Sequence, residues 1–453
     1  MLLECIIRFK NQKNDGILLN KLLPIFTALL PTILFASFSG TVVDKKTLKP
    51  IFDAIINDSH HGVRSDQNGY FKIDSKETLY HVKAYGYRPF TIVNDTNTTN
   101  DINNTILEVE PIKVKALYLT FWGASNNSAT SKNIIKIIDE TKVNAVVVDV
   151  KNEYGSTSFW TSFDQANSYG AYENRTNRDM PKFMKKLKDK NIYTIARIVT
   201  FKDELQASNN PDYAIKLDSN GSIWRNHDNM AWVDPYDKRS HDYAISIAEE
   251  AAKVGFDEIN FDYIRFPAKS NLRYSKNNTP QNRIEAIGEF LISAQNRLRK
   301  YGVFISVDTY GNICWSDDDN NIGQTVDSLA KHTDYLSPML YPSGFAKGSF
   351  YFDYPSEHPH AVIYRSIKNI KDRIDTKRVR PWLQYFKDYA HKRRYYKKKE
   401  IREQIRATED INTSGWMMWS PSSKYNAQYF KPAQKDDNLT SLNSFRKSLD
   451  LGK

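Results

Sequence analysis

Residues 145–155 read AVVVDVKNEYG, an apolar, β-branched run that ends in acidic and turn-forming residues. The run lacks the alternation of apolar and polar side chains that marks a strand with one face in water. A strand of this kind is buried on both faces, which is typical of a parallel sheet covered by helices. The stretch therefore predicts a central strand that opens into a polar loop.

Similar short apolar runs recur along most of the chain, and they are separated by helical patterns or long loops. The predicted strands are Ala116–Phe121, Ala145–Val150, Tyr193–Val199, Glu258–Phe261, Val303–Val307, Tyr335–Leu340, Arg380–Tyr385 and Gly415–Trp419. Amphipathic stretches predict helices over 131–141, 180–190, 240–254 and 283–300. Eight strands with intervening helices or loops, over about 310 residues, predict an α/β fold, the (β/α)8 TIM barrel.

A doubly wound open sheet is the alternative arrangement of alternating strands and helices. It would often carry a glycine-rich phosphate-binding turn after an early strand. The first predicted strand is instead followed by Trp122-Gly123-Ala124, and no G-x-x-x-x-G-K-[ST] motif occurs in the chain. The count of eight strands favours the barrel.

The N-terminal residues have the pattern of a secretory signal. Residues 22–36 read LLPIFTALLPTILFA, an uncharged run of 15 residues that follows several basic ones. As a helix this run would be roughly 22 Å long, short of the ~30 Å hydrocarbon core of a bilayer. We predict a signal peptide over 1–36 and an exported protein of the periplasm or cell envelope. An uncleaved anchor is the alternative.

A small β domain is predicted over 37–93, where short β-type runs alternate with turn signals. The runs GTVVD, KPIFDA, SDQNGYFKI and VKAYGY resemble the carboxypeptidase-regulatory-like, or transthyretin-like, domain. The resemblance implies a non-catalytic β-sandwich module, often found on exported proteins. Residues 94–110 are predicted as an Asn/Thr-rich linker, 111–428 as the barrel and 429–453 as a polar tail.

Candidate functional residues follow from the strand ends, because catalysis in a barrel takes place at the C-terminal ends of its strands. These ends gather carboxylates, Tyr, Trp and a few basic residues. Paired carboxylates act on a glycosidic bond, and flat rings pack on the apolar faces of sugars. The candidate catalytic residues are Asp262, Asp308 and Asp149, and the candidate substrate-binding residues are Lys151, Arg197, Arg265, Tyr341, Gln384, Trp416 and Trp419.

Five motifs, AVVVDVKNEYG, AWVDPY, GFDEINFDYIRFP, SPMLYP and GWMMWSP, resemble the bacterial glycoside hydrolase barrels, a poorly characterised family named largely by fold. The resemblance spans about Ala116 to Tyr425 and implies a sugar-active barrel. It implies that Asp262, at the end of the fourth strand, is the nucleophile. On the fifth strand many retaining relatives have a Glu acid/base, where this chain has Asp308.

Other roles remain open at this point. Arg265, three residues after Asp262, would hold that carboxylate ionised, or the two pair without any catalytic role. Asp149 competes for a direct role, and Lys151 on the same strand face is a candidate partner for it. Arg197 either neutralises carboxylates inside the barrel or binds an acidic sugar.

Composition narrows the classes of partner. The chain has 64 Lys+Arg and 53 Asp+Glu, a net charge of +11, but no nucleic-acid recognition motif. No metal or cofactor is expected, because its His residues lack metal-ligand spacing. The basic stretch 387–401 is either a solvated helix face or a site of attraction to an anionic glycan or envelope surface.

Two functions stay open: a retaining glycoside hydrolase acting on an envelope or extracellular polysaccharide, and a non-catalytic carbohydrate-binding barrel.

Overall fold

The computed structural model describes residues 37–75, 77–93 and 105–431. The predicted signal peptide, most of the predicted linker and nearly all of the predicted tail lie outside these residues. Within them, no helix is long and apolar enough to cross a membrane.

Strands make up the centre of each of the two folded parts. They are β1 (Ser37–Asp44), β2 (Ile55–Asn57), β3 (Gly62–Arg64), β4 (Tyr70–Asp74), β5 (Leu79–Lys83), β6 (Phe90–Val93), β7 (Thr105–Val109), β8 (Val114–Leu119), β9 (Ala145–Lys151), β10 (Tyr193–Val199), β11 (Lys216–Leu217), β12 (Glu258–Asp262), β13 (Leu272–Arg273), β14 (Phe304–Tyr310), β15 (Tyr335–Met339), β16 (Trp382–Gln384) and β17 (Gly415–Trp419).

Helices follow the barrel strands and cover their outer faces. They are α1 (Ala129–Glu140), α2 (Asp164–Ser168), α3 (Met180–Asp189), α4 (Glu204–Asn209), α5 (Lys238–Lys253), α6 (Pro280–Leu298), α7 (Val326–His332), α8 (Pro359–Ile370) and α9 (Lys398–Asp410). Their starts follow from local chemistry. In α6 the Thr279 side chain accepts the backbone N–H of Asn282, and Pro280 occupies the first helical position.

Eight of these strands close into a parallel barrel in the order β8, β9, β10, β12, β14, β15, β16, β17, with β17 paired to β8. The predicted TIM barrel is therefore confirmed, and each predicted strand corresponds to one barrel strand. The pleat sorts the side chains of each strand into two sets. In β10, Ala196 and Ile198 pack towards the helices, whereas Tyr193 and Ile195 belong to the interior cluster.

A polar layer lies near the N-terminal end of the barrel interior. Arg380 donates to Glu258 at 2.6 Å, and the Tyr193 hydroxyl donates to the same carboxylate at 2.8 Å. All three side chains are fully buried. Because a buried charge is tolerated only when it is paired, this layer joins β10, β12 and the start of β16 into one unit.

The N-terminal β domain consists of two small sheets, β4-β1-β7 and β3-β2-β5-β6. One apolar cluster lies between them, and it includes Phe38, Val42, Ile56, Phe71, Tyr80, Val82 and Leu107. The predicted linker is too long at its C-terminal end, because Thr105–Val109 pairs in parallel with β1. Apolar residues alternate in this strand, with Leu107 and Val109 buried, and the Asn/Thr-rich composition before it obscured that pattern.

This domain contacts the barrel at the end where the strands begin. Lys83 Nζ binds the carboxylate of Asp334 at 3.1 Å and the carbonyl of Val303 at 3.0 Å. The His81 ring contacts the carbonyl of Lys300 at 2.8 Å, and the backbone N–H of Gly86 donates to the Tyr335 hydroxyl at 3.1 Å. The residues contacted lead into β14 and β15, so this domain does not cover the opposite, C-terminal end of the barrel.

Candidate active site

The C-terminal halves of four neighbouring strands bring polar side chains into the barrel interior. The register sets Asp149 of β9 beside Arg197 of β10, and Arg197 beside Asn260 of β12. Asn260 in turn lies opposite Ser306 of β14. Because side chains two residues apart share a face, Asp262 and Asp308 continue this row one step nearer the mouth. Four of the predicted residues thus come together.

Arg197 lies at the centre of the group and is fully buried. Its Nε and Nη2 donate to Asp262 Oδ2 at 2.9 and 2.5 Å. Nη1 donates to Asp149 Oδ1 at 2.6 Å, and Nη2 reaches Glu153 Oε1 at 3.1 Å. One guanidinium therefore holds three carboxylates, which leaves it no free edge for an acidic sugar.

Glu153 belongs to the site although the sequence interpretation left it out. It lies in the loop after β9, four residues beyond Asp149. Burial opposes its ionisation, but the Arg197 guanidinium overcomes this and lowers the pKa of Glu153. The signal that could have found it is an acidic side chain immediately past a buried strand, at the mouth of the barrel.

Asp262 does not pair with Arg265, contrary to the expectation from their spacing. Its ion pair is with Arg197, on the neighbouring strand, and its Oδ1 accepts the backbone N–H of Tyr263 at 2.6 Å. Tyr263 has a φ of 50°, in the left-handed region, so the chain turns sharply after the carboxylate. This turn carries Arg265 away from Asp262 and onto a group of aromatic rings.

Asp308 lies in a drier environment than Asp262. Its Oδ1 accepts hydrogen bonds from Asn260 Nδ2 at 2.9 Å and from Trp382 Nε1 at 2.6 Å. The side chain is buried, and burial together with the negative charge of Asp262 raises its pKa well above the usual range. Burial and the neighbouring charge thus favour the protonated form of Asp308, and Oδ2 is the oxygen that accepts neither of these two N–H groups.

Asp149 is held inside the barrel by two donors. The Tyr118 hydroxyl donates to Oδ2 at 2.9 Å, and Arg197 donates to Oδ1. Burial raises the pKa of Asp149 to about 6, with Arg197 acting in the opposite direction. Both oxygens are occupied by protein donors, so Asp149 orients Arg197 and Tyr118.

Lys151 does not pair with Asp149. The pairing of β9 with β10 shifts after Arg197, so that Ile198 lies beside Lys151, two residues beyond Asp149. Such a bulge changes the direction in which the following side chain points. Lys151 is fully buried and binds Asp203 at 2.7 Å and the carbonyl of Val199 at 2.7 Å. It is thus a structural cation behind the site.

Aromatic rings surround the polar group on the side of the mouth. Trp419 stacks on Tyr118 with ring centroids 4.0 Å apart, and the Arg197 guanidinium lies 5.2 Å from the Trp419 ring. Tyr341 lies close enough to Asp308 and Asp262 that their charges add to the effect of burial in raising its pKa. Trp419 and Tyr341 are only partly buried, so both can meet a ligand entering the barrel.

Two predicted sugar-binding residues are not part of this group. Trp416 faces the helices, where it packs on Phe430, because an odd separation from Trp419 puts it on the other face of β17. Gln384 is fully buried, and its amide binds Ser343, at both the backbone N–H and the hydroxyl, and the carbonyl of Phe386. Neither side chain is available to a ligand at the mouth.

The raised pKa of Asp308 leads to a prediction about stability. The folded protein keeps the proton to a higher pH than the unfolded chain, so its stability decreases as pH rises from about 4 towards that pKa. Asp308→Asn removes the titration while Oδ1 still accepts both N–H groups. We expect the variant to gain stability over the wild type with rising pH, by up to about 1.4 kcal/mol per pH unit.

Urea unfolding at pH 4, 5.5 and 7 measures this difference. Asp218→Asn, at an exposed ion pair with Arg273, is the control and should show no such gain. A stability difference for Asp308→Asn that is constant or shrinks with pH would contradict the assignment of the proton.

The carboxylates at the mouth are bound by protein donors, namely Arg197, backbone N–H groups and other side chains. Within residues 37–75, 77–93 and 105–431, no group of three or more His, Cys, Asp or Glu side chains is placed to hold a metal ion.

Comparison with protein-family models gives a match that covers most of the barrel. The family model described as "Putative glycosyl hydrolase domain" matches residues 116–425, well over half of the chain. A search of curated proteins finds no match.

Solved structures that match parts of this chain include a hypothetical protein from Ruminiclostridium thermocellum. It is 36% identical over 42% of this chain and 96% of its own, with a TM-score of 0.38. The glycoside hydrolase domain of PgaB (BpsB) from Bordetella bronchiseptica is 12% identical over 72% of this chain and 100% of its own, with a TM-score of 0.49. A group IV chitinase from Ostrinia furnacalis is 11% identical over 69% and 92%, with a TM-score of 0.41.

Proposed function

Because the chain belongs to this glycosyl hydrolase family, we propose that it cleaves glycosidic bonds with Asp262 and Asp308 as its catalytic pair. The observation that carries the proposal is the difference between these two neighbouring carboxyl groups. Asp262 is ion-paired with Arg197, whereas Asp308 is buried and its pKa is raised by burial and by the charge of Asp262. An ion-paired carboxylate suits the nucleophile role, and a carboxyl group with a raised pKa suits the acid role.

The register of β12 and β14 supports a retaining mechanism. The last residues paired between these strands, Phe261 and Val307, put Asp262 and Asp308 at the next, adjacent position. Neighbouring strands are about 4.8 Å apart, so carboxyl groups on one face fall near the ~5–5.5 Å separation of retaining enzymes. Inverting enzymes need a wider gap of about 6.5–9.5 Å to admit a water molecule.

In the proposed reaction Asp308 gives its proton to the glycosidic oxygen as the bond from that oxygen to the anomeric carbon breaks. The Asp262 carboxylate attacks the anomeric carbon and forms a glycosyl ester. Water then attacks the same carbon, Asp308 takes its proton, and the ester bond to Asp262 breaks. Arg197 holds the Asp262 carboxylate in place and stays charged throughout.

The substrate we propose is an envelope or extracellular polysaccharide. The predicted signal over residues 1–36 supports an exported enzyme, and a groove lined by Tyr341 and Tyr310 lies at the C-terminal end of the barrel. Trp419 and Tyr341 are positioned to contact sugar faces beside the catalytic pair.

A carbohydrate-binding barrel without turnover is the second candidate. It is favoured by the two hydrogen bonds that tie Asp262 to Arg197, since these lower the nucleophilicity of the carboxylate. The two candidates differ in one outcome, which is the release of new reducing ends.

The test screens bacterial cell-wall glycans, exopolysaccharides and 4-nitrophenyl glycosides for release of reducing ends or nitrophenol. For a substrate that is cleaved, ¹H NMR of the first product identifies its anomer. We expect retention of the anomeric configuration. An inverted product would overturn the double displacement, and binding without cleavage across the whole panel would support the second candidate.

A further inference from the structure

Arg265 differs from the other cations at the mouth of the barrel. Arg197 is bound by three carboxylates, and Lys202 by Asp228 at 2.9 Å. Among the described residues, no carboxylate forms an ion pair with Arg265, which donates to the carbonyl of Phe266 at 3.2 Å. Arg265 is half-buried, and its guanidinium carries a fixed charge without a protein counter-ion among the described residues.

Aromatic rings hold this guanidinium in place. Its central carbon lies 5.0 Å from the Trp232 ring, 5.0 Å from the Tyr263 ring and 4.7 Å from the Tyr310 ring. Cation–π contacts orient the planar group without neutralising its charge. The guanidinium is therefore fixed before any ligand arrives, and its remaining N–H groups form a fork suited to a carboxylate.

The position of Arg265 links it to the catalytic pair. It follows Asp262 by three residues, and its neighbour Tyr310 follows Asp308 by two. Tyr310 is 39% exposed and borders a groove of about 370 Å³, which Tyr341 also lines. Two lining residues connect this groove to the site: Tyr310 contacts the Arg265 guanidinium, and Tyr341 lies near Asp308 and Asp262.

The loop after β16 adds positive charge to the same side. Residues 387–397 contain five Lys or Arg side chains and one acidic one, and Tyr389 of this loop lines the groove. The acidic residue, Asp388, is buried and accepts backbone N–H groups of its own loop, and among the described residues it forms no ion pair with these cations. Two of the five cations bind Glu357, which leaves the loop with a net positive charge. A polyanion would be attracted towards the groove.

We propose that the substrate is an acidic polysaccharide containing uronic acid, and that Arg265 binds the carboxylate of a sugar next to the cleaved bond. This inference rests on the proposed function and specifies its substrate class. Asp262, Glu153 and Asp149 make the barrel interior acidic, so an anionic substrate needs a cation that keeps its charge away from the catalytic pair. Arg265 has the charge, the orientation and the exposure to supply it.

The experiment compares acidic glycans with their neutral counterparts. Alginate, hyaluronan, polygalacturonate and heparosan oligosaccharides are tested beside the same oligosaccharides after reduction of the carboxyl groups. Binding is measured by calorimetry with the Asp308→Asn variant, so that the readout does not depend on turnover. We expect at least one acidic oligosaccharide to bind about 10-fold or more tightly than its reduced form.

Variants separate recognition from packing. Arg265→Gln should abolish that preference and lower affinity for the acidic form about 10- to 100-fold, with the reduced form unchanged. Arg265→Lys, which keeps the charge, should retain part of it. Arg239→Gln, at an exposed Arg over the Tyr213 ring and paired with Asp237, is the matched control and should change neither affinity.

Three outcomes of the binding experiment would reject the inference. Equal binding of acidic and reduced forms, an equal loss for both forms in Arg265→Gln, or binding by neutral cell-wall glycans but no acidic one would all overturn it. Cleavage of a neutral glycan that depends on Asp262 would overturn the substrate class and leave the proposed function standing. Binding of an acidic glycan that depends on Arg265, without cleavage by the wild type, would overturn the proposed function and leave the recognition of an acidic glycan standing.

Discussion

Asp262→Asn is expected to lower the rate of glycan cleavage by about 10³-fold or more, because it removes the group that bonds to the anomeric carbon. Asp308→Asn should lower it by about 10²- to 10⁴-fold on natural glycans. The second loss should be much smaller in the first chemical step on a 4-nitrophenyl glycoside, since nitrophenolate leaves without a proton. Initial rates for both variants, on any substrate found by the screen, measure these effects.

Both substitutions preserve the shape of the side chain, although Asp262→Asn loses the two hydrogen bonds that Arg197 donates to Oδ2, so the fold of each variant is checked separately from its activity. In Asp262→Asn the new amide would still offer its oxygen to the Tyr263 N–H, and Arg197 would keep Asp149 and Glu153. Thermal unfolding and circular dichroism report the fold.

The control for both variants is Asp234→Asn, at a buried carboxylate that accepts loop N–H groups of Tyr236 and Ser275. It should leave the rate of cleavage close to that of the wild type. Cleavage by Asp262→Asn within about tenfold of the wild type would refute the proposed nucleophile.

Arg197→Met is expected to destabilise the folded protein by about 3–5 kcal/mol at pH 7, because it leaves buried carboxylates without their cation. The sign of its pH dependence follows from Glu153, whose pKa Arg197 lowers. The stabilisation that this group gains from Arg197 is present above the unfolded pKa and is lost as pH falls through the folded one. The variant should therefore lose most stability at neutral pH and less at pH 4.

Urea unfolding at pH 4 and pH 7 measures this second prediction. Arg373→Met breaks an ion pair with Asp327 whose carboxylate is largely exposed, and it should cost about 1 kcal/mol or less. A loss for Arg197→Met as small as for this control, or one that grows towards acid pH, would contradict the central role of Arg197.

The fold was predictable from the sequence because each barrel strand is a short apolar run that carries its signal locally. The same holds for the position of Asp262 and Asp308, since strand ends in a barrel converge by topology. Side-chain partners were not predictable in this way. Arg197 and Asp262 are 65 residues apart, and the nearer Arg265 was the obvious partner until the left-handed turn at Tyr263 moved it away.

The side of a strand on which a given side chain lies was also hard to predict from the sequence. The bulge beside Arg197 turns Lys151 towards Asp203. The alternation of side chains along a strand does not reveal such a bulge, and no glycine in the sequence marks its position. Trp416 and Trp419 look equivalent in GWMMWSP, yet only one of them faces the interior. Strand β7 was missed because the polar composition before it extended the predicted linker over its residues.

The N-terminal β domain meets the barrel through Lys83, His81 and Gly86, at the end away from Arg265 and the basic loop. This geometry has a practical consequence for assays on surfaces. Attachment to a sensor chip or bead through a cysteine introduced at an exposed position of this domain, such as Leu48, would orient every molecule with its groove towards the flowing sample. Random coupling through lysines would instead block a fraction of the molecules, because lysines crowd the loop beside the groove.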